Sequence, residues 1–191
     1  MITTQEMVDN IKAYYLMSTR LEKQQGKAWY RTANRICTEL AELYDVPITT
    51  VIGIMSALSP RNKWERNVRD TEAVLVHGEN ATVATFHANK AKAVRILNGE
   101  EPLDVLSGNK VRSFYECIHS VVWEYIIETC IDSHAYGVAC GYGERIKPKS
   151  ISDRLYPVIQ SAYVQAAADL DLQPMQLQAI TWLAYKRIHN I

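Results

Sequence analysis

The chain has 191 residues, 48% hydrophobic and 22% charged, with 21 basic and 21 acidic side chains and a formal net charge of zero. That size and balance suit one domain, or one domain with two lobes, burying a real core, and they exclude a disordered chain and a histone-like polycation. No window approaches about 18 uncharged apolar residues and MITTQEMVDN has no basic leader before an apolar run, so neither a membrane span nor a signal peptide is expected.

In chain order, Thr4 is a fair N-cap for a first helix to about Thr19, with Met7, Ile11, Tyr14 and Tyr15 at helical spacing. Gly26 should break the chain before a helix over Trp29 to Tyr44, striped by Trp29, Ala33, Ile36, Cys37, Leu40, Leu43 and Tyr44. After the DVPITT turn, Val51–Leu58 is almost uniformly apolar and should be central, and Ser59-Pro60 ends it because proline disfavours a helical residue before it. Helices are then expected over Trp64–His77, closed by Gly78, and over Asn89–Leu97, Asn109–Tyr125, Ser133–Cys140, Ser152–Leu170 and Pro174–His189. Ile126–Ile131 is the one β-like run, and Gly141–Ser150 and Asp169–Pro174 read as linkers. The expected fold is therefore all-α, a compact bundle of about eight to ten short helices in two lobes. Cys37, Cys117, Cys130 and Cys140, separated by 80, 13 and 10 positions, match neither a zinc site nor a disulfide framework. Buried, reduced thiols in a cytoplasm are expected, with no metal.

Charge is unevenly spread. Ser59–Arg69 holds four basic residues and one acid; Phe86–Leu97 adds Lys90, Lys92 and Arg95, and Ser107–Phe114 adds Lys110 and Arg112, both without an acid. These stretches together carry +8 in a neutral chain. Gathered on one face they would meet a polyanion; scattered, they only coat solvated helices.

Three islands carry candidate chemistry. In ALSPRNKWERN, Asn62 and Asn67 offer amides and Trp64 a stacking face beside Arg61 and Lys63, a mixture suited to an unstacked base. The same residues also fit a helix start with Ser59 as cap and Trp64 as anchor. In LDVLSGNKVRSFYECI, a Gly-Asn-Lys turn opens a helix whose first amides are available to a phosphate. Lys110 sits in that first turn, where the helix dipole disfavours a cation, so it reads either as an amine nucleophile or as a solvated surface lysine. In ETCIDSHAYG, Asp132 precedes an apolar helix and reads as an N-cap, which a ligand-facing role does not exclude; His134 alone reads as a satisfied interior histidine.

The order of these islands resembles the helix-hairpin-helix DNA glycosylase superfamily, of the endonuclease III and 8-oxoguanine glycosylase type. There a helix ending LSQQT precedes a KA…I helix, an LPGVGxK hairpin and a VDTH segment; here IMSALSP, NKAKAVRIL, LSGNK and IDSHAYG follow in that order over about 51–143. The resemblance implies a glycosylase-like core in that range, completed by flanking helices 1–50 and 151–191 within one all-α domain. It implies Lys110 and Asp132, 22 positions apart, as nucleophile and assisting carboxylate in cleaving the bond between sugar and a base flipped between two lobes. It further implies Asn62, Trp64, Asn67, Tyr115 and His134 around the base. DNA contacts would come from Arg61, Lys63, Asn89, Lys90, Lys92, Ser107, Gly108, Asn109 and Arg112. LSGNK lacks the first hairpin glycine, LSPRN lacks the glutamines, and no four-cysteine pattern follows Gly143, so no cofactor is implied. The ALSP…W..N and IDxHA patterns are also similar to those of a group of phage proteins. That similarity implies a bacteriophage origin, action in a host cytoplasm, and base hypermodification as an alternative to repair. The expected partner is double-stranded DNA, bound by a monomer. A non-catalytic DNA-binding module on the same scaffold is the competing reading, and an all-α structural protein would leave the three basic stretches on separate faces.

Overall fold

The computed structural model describes residues 2–122, 126–141 and 151–191. Every regular element among them is helical: α1 Thr4–Met17, α2 Arg20–Tyr44, α3 Ile48–Leu58, α4 Trp64–His77, α5 His87–Leu97, α6 Pro102–Val105, α7 Asn109–His119, α8 Ser133–Cys140, α9 Tyr156–Asp169 and α10 Pro174–His189, with 3-10 turns at Gly78–Asn80 and Ser120–Val122. The protein is all-α. No single described helix is long and apolar enough to cross a membrane.

Helix ends follow local chemistry, with some corrections. The cap of α1 is Thr3, not Thr4: Thr3 and Glu6 form a reciprocal capping box. The first break comes at Ser18-Thr19, where the Ser18 hydroxyl bonds back to Tyr14 O and Thr19 exchanges hydrogen bonds with Glu22 to start α2. Gly26 does not break the chain. It lies inside α2, and a Cβ there would come within 2.5 Å of Ile180 Cγ1 and 2.6 Å of Ile180 N, so the glycine permits a close approach to α10. Residues 109–125 do not form one helix: α7 ends at His119, a 3-10 turn follows, and 123–125 lie outside the described residues. Pro102–Val105 adds a helix that periodicity did not reveal, and the helix expected from Ser152 begins at Tyr156. Of the two expected linkers, Asp169–Pro174 is a turn, while 142–150 lie outside the described residues.

The β-like run at 126–131 has no strand partner among the described residues. Side chains take its backbone groups instead: Gln173 Oε1 accepts from Ile126 N, and Tyr156 Oη accepts from Ile131 N while donating to Thr129 O.

The chain divides into two compact units, Met1–Arg31 with Ser120–Ile191, and Thr32–His119. The stretch 51–143 thus contributes to both. In the first unit, α1, α8, α9 and α10 pack on one another around Met7, Val8, Ile11, Ile131, Val138, Ile159, Tyr163, Leu177, Ile180 and Tyr185. In the second, α3 is central, buried from Val51 to Leu58 and contacted by α4, α5, α6 and α7. Gly53 lets Pro102 of α6 settle on α3, where a Cβ would lie 2.9 Å from the ring. None of the four cysteines forms a disulfide and all are buried, and burial pushes the Cys37 thiol up to about 12.

Candidate functional site

In the first unit the site is built around Asp132. It is the N-cap of α8, with Oδ1 accepting from the backbone N–H of His134 at 3.0 Å and of Ala135 at 2.8 Å. Oδ2 accepts from the indole N–H of Trp182 at 3.1 Å and lies 3.3 Å from His134 Nδ1. The side chains of Asp132 and His134 keep 24% and 22% of their surface exposed, so this bonded carboxylate is still reachable by solvent. His134 stands edge-on to Trp182, with ring centroids 6.2 Å apart, and 5.7 Å from Tyr185. Tyr185 stacks obliquely at 4.3 Å on His189, whose Nε2 is 3.0 Å from the Tyr14 hydroxyl. Gly137 makes room for this arrangement, since a Cβ would sit 2.6 Å from Tyr185 Oη. Beneath, Tyr163 is fully buried; burial first, then the Asp132 charge, pushes its phenol upward.

Such a carboxylate is acceptor-only when ionised, and its oxygens here face three N–H donors. It can stabilise a developing positive charge or take a proton from a nucleophile. Sequence reasoning found Asp132 and His134 but not Trp182, Tyr185 or Lys186. Their signal was present: Trp182, Tyr185, Lys186 and His189 recur at helical spacing on α10, so they share a face.

The second unit holds Lys110 and the three basic stretches, and there these stretches meet. Thr85 Oγ1 donates to Pro60 O at 3.2 Å, the Arg61 guanidinium lies 5.6 Å from the centroid of Phe86, and Lys92 Nζ donates to Ser107 Oγ. Phe86 is 54% exposed, a large aromatic at the start of α5 that sequence reading did not single out. Arg61 has a left-handed backbone, φ 56°, held by the turn that joins α3 to α4. Lys63 is exposed at the N-cap of α4, and Lys90 is half-buried on the first turn of α5. Asn89 Nδ2 is bonded to Thr85 Oγ1 at 2.8 Å. Gly108 takes φ 82° before Asn109 opens α7; Lys110 follows, half-buried, its Nζ 5.9 Å from the Phe114 ring centroid. Arg112 is exposed and donates to Leu103 O and Leu106 O at 2.6 and 3.2 Å, tying the end of α6 to α7.

Other residues expected around a base are held inside this unit. Asn67 is 2% exposed, its amide donating to Met55 O at 3.0 Å. Asn62 donates to Asp70 Oδ2 at 2.9 Å and to Leu58 O at 3.3 Å. Tyr115 is 3% exposed, stacked on His119 at 5.6 Å, and burial pushes its phenol up to about 12. Trp64 is half-buried at the start of α4. The unremarked Asp70, with 2% of its side chain exposed, organises this corner: Oδ1 accepts from Arg66 Nε at 2.7 Å, and Oδ2 from Asn62 and from Ala84 N at 2.9 Å. No cluster of three or more potential metal ligands occurs among the described residues.

No curated protein and no solved structure matches the chain. A model of a family of unknown function does, over residues 1–189, and so nearly the whole of this chain belongs to the DUF7178 family.

Proposed function

We propose that the protein is a DNA glycosylase-like enzyme that cleaves the N-glycosidic bond of a damaged or modified base flipped out of duplex DNA. The observation that carries this reading is the Asp132 cap: a carboxylate oriented by two backbone N–H groups and an indole, accessible, and beside a histidine. As the bond between C1′ and the base nitrogen breaks, its electron pair leaves with the base, which takes up a proton. Positive charge then develops on the sugar, and an oriented carboxylate lowers the energy of that state. Extruding the base costs a few kcal/mol of stacking, offset by contacts to the flipped nucleotide and its phosphates.

The reading leaves two nucleophiles for C1′, an amine and water. If the Lys110 amine attacks, a C1′–Nζ bond forms, the sugar ring opens to a Schiff base and strand cleavage by β-elimination can follow. If water attacks and gives up its proton to Asp132, the products are free base and an abasic site. The contiguous basic stretches support DNA as the partner. Arg61, Lys63, Lys90 and Lys92 offer cations for phosphates, and exposed Phe86 offers a face for a base.

The test mixes the protein with a duplex containing one abasic site and borohydride. A covalent protein–DNA band that disappears in Lys110→Ala and persists in other lysine variants assigns the amine route. Base release from modified DNA without a band assigns water. DNA binding with neither band nor base release sinks the enzymatic reading and leaves a module that only binds.

A further inference from the structure

Trp182 stands 50 positions beyond Asp132, on α10, yet its indole N–H is directed at Asp132 Oδ2. A half-buried tryptophan commonly satisfies its N–H with water or a backbone carbonyl. Capping α8 requires only Oδ1, which already accepts from His134 N and Ala135 N. The second oxygen is thus held by a different element, for a purpose that the cap does not supply. The terminal torsion of an aspartate is broad, so a carboxylate held through one oxygen retains freedom to swing. The indole donor on Oδ2, with His134 Nδ1 3.3 Å from the same oxygen, restricts that freedom. One turn along α10, Lys186 Nζ lies 4.2 Å from the centroid of the Trp182 ring. A cation against the π face draws electron density from the indole and makes its N–H a stronger donor to an anion.

We propose that Trp182, backed by Lys186, is a positioning residue that fixes the orientation of Asp132 Oδ2 for base release. The catalytic consequence rests on the glycosylase reading; the hydrogen bond itself does not. Among the described residues, His134 on α8 and Trp182 on α10 lie within hydrogen-bond reach of Asp132, Tyr163 on α9 feels its charge, Lys186 lies against Trp182, and Tyr185 lies behind His134.

Two measurements test the inference. Trp182→Phe keeps an aromatic ring and removes the donor. Its kcat for base release falls about tenfold, the loss expected for a hydrogen bond to a charged group, while KM is unchanged. Lys186→Gln shifts kcat the same way by about threefold. A purely structural tryptophan would lower stability and leave kcat per folded molecule where it was, and that result overturns the proposal. The second readout needs no activity. The chain has four tryptophans, and the indole N–H resonance lost in Trp182→Phe identifies the signal of Trp182. In Asp132→Asn that signal moves toward the position of an indole N–H in water, and in His134→Gln it stays that of a hydrogen-bonded indole. A Trp182 signal indifferent to Asp132→Asn overturns the proposal. Wild-type protein that releases no base overturns the glycosylase reading instead, and the indole resonance in Asp132→Asn then decides the Trp182–Asp132 bond alone.

Discussion

Two aspartates, one in each unit, accept comparable sets of N–H donors and end in different states. Asp70 receives Arg66, Asn62 and the Ala84 backbone, and only 2% of its side chain is exposed. Its donors come from α4, from the turn after α3 and from the segment before α5, so the carboxylate ties those segments together. Asp132 receives the first turn of α8 and Trp182, and stays 24% exposed beside His134. Hydrogen-bond count therefore does not separate a closed clamp from an accessible carboxylate. What separates them is whether the donors close off all of the carboxylate or leave part of it open.

The most direct way to break this contrast is the same substitution at both positions. Asp132→Asn lowers base release on the order of 10³-fold, while the unfolding midpoint falls less than at a buried position, because asparagine still caps α8 through Oδ1 and its amide, set against the Trp182 N–H, keeps access to water. Asp70→Asn does the opposite. It costs about 2–3 kcal/mol in urea unfolding, because the amide offers a donor where acceptors are needed, and base release per folded molecule is retained. Equal loss of activity in the two variants would erase the distinction between clamp and site.

Packing within the first unit gives the next effect. Gly26→Ala places a methyl against the backbone of Ile180, which cannot swing aside as a side-chain tip would, and costs about 2 kcal/mol by thermal unfolding. Because Ile180 and Trp182 share α10, this variant also disturbs the indole resonance of Trp182. An unmoved resonance would show that the first unit tolerates a shift of α10 without loss of the site.

The smallest effect is a pH dependence. Glu22 is bound by Arg187 at 2.7 Å, and this hydrogen bond, with those from Thr19, holds its carboxyl below the usual range despite opposing desolvation. A lowered folded-state value contributes stability above the unfolded value of about 4.3, and that contribution is lost as pH falls through the folded value. Glu22 is buried, but the half-exposed Arg187 guanidinium is screened by solvent, which limits the contribution to about 1 kcal/mol. The stability difference between wild type and Glu22→Gln is therefore constant above about pH 5 and shrinks on acidification. A difference that grows in acid would contradict the assignment.

Much of the fold was legible in the chain. The spans of α4, α8 and α10 agree with those read from Gly78, from Asp132 with Gly141, and from Pro174, and α3 is central as its unbroken apolar run implied. Gly26 was misread because a glycine in a polar helical stretch looks the same whether it ends a helix or faces another one. The four-residue α6 has too few positions to show a period. Within the site, Asp132 was legible as a cap. Asn62 and Asn67 were not legible as interior groups, because residue type alone does not show that Asp70 and Met55 O lie beside them.

The sequence alone determined the all-helical class, most helix ends, the inward run of α3 and the capping carboxylate, because caps, prolines and the helical period act within one or two turns of chain. Only the tertiary structure decided that Trp182 reaches Asp132 from 50 positions away, that Gly26 serves α10, that Asp70 closes a corner of the second unit, and that three basic stretches adjoin. Those outcomes depend on how whole helices settle on one another, and no local window of residues carries that distance.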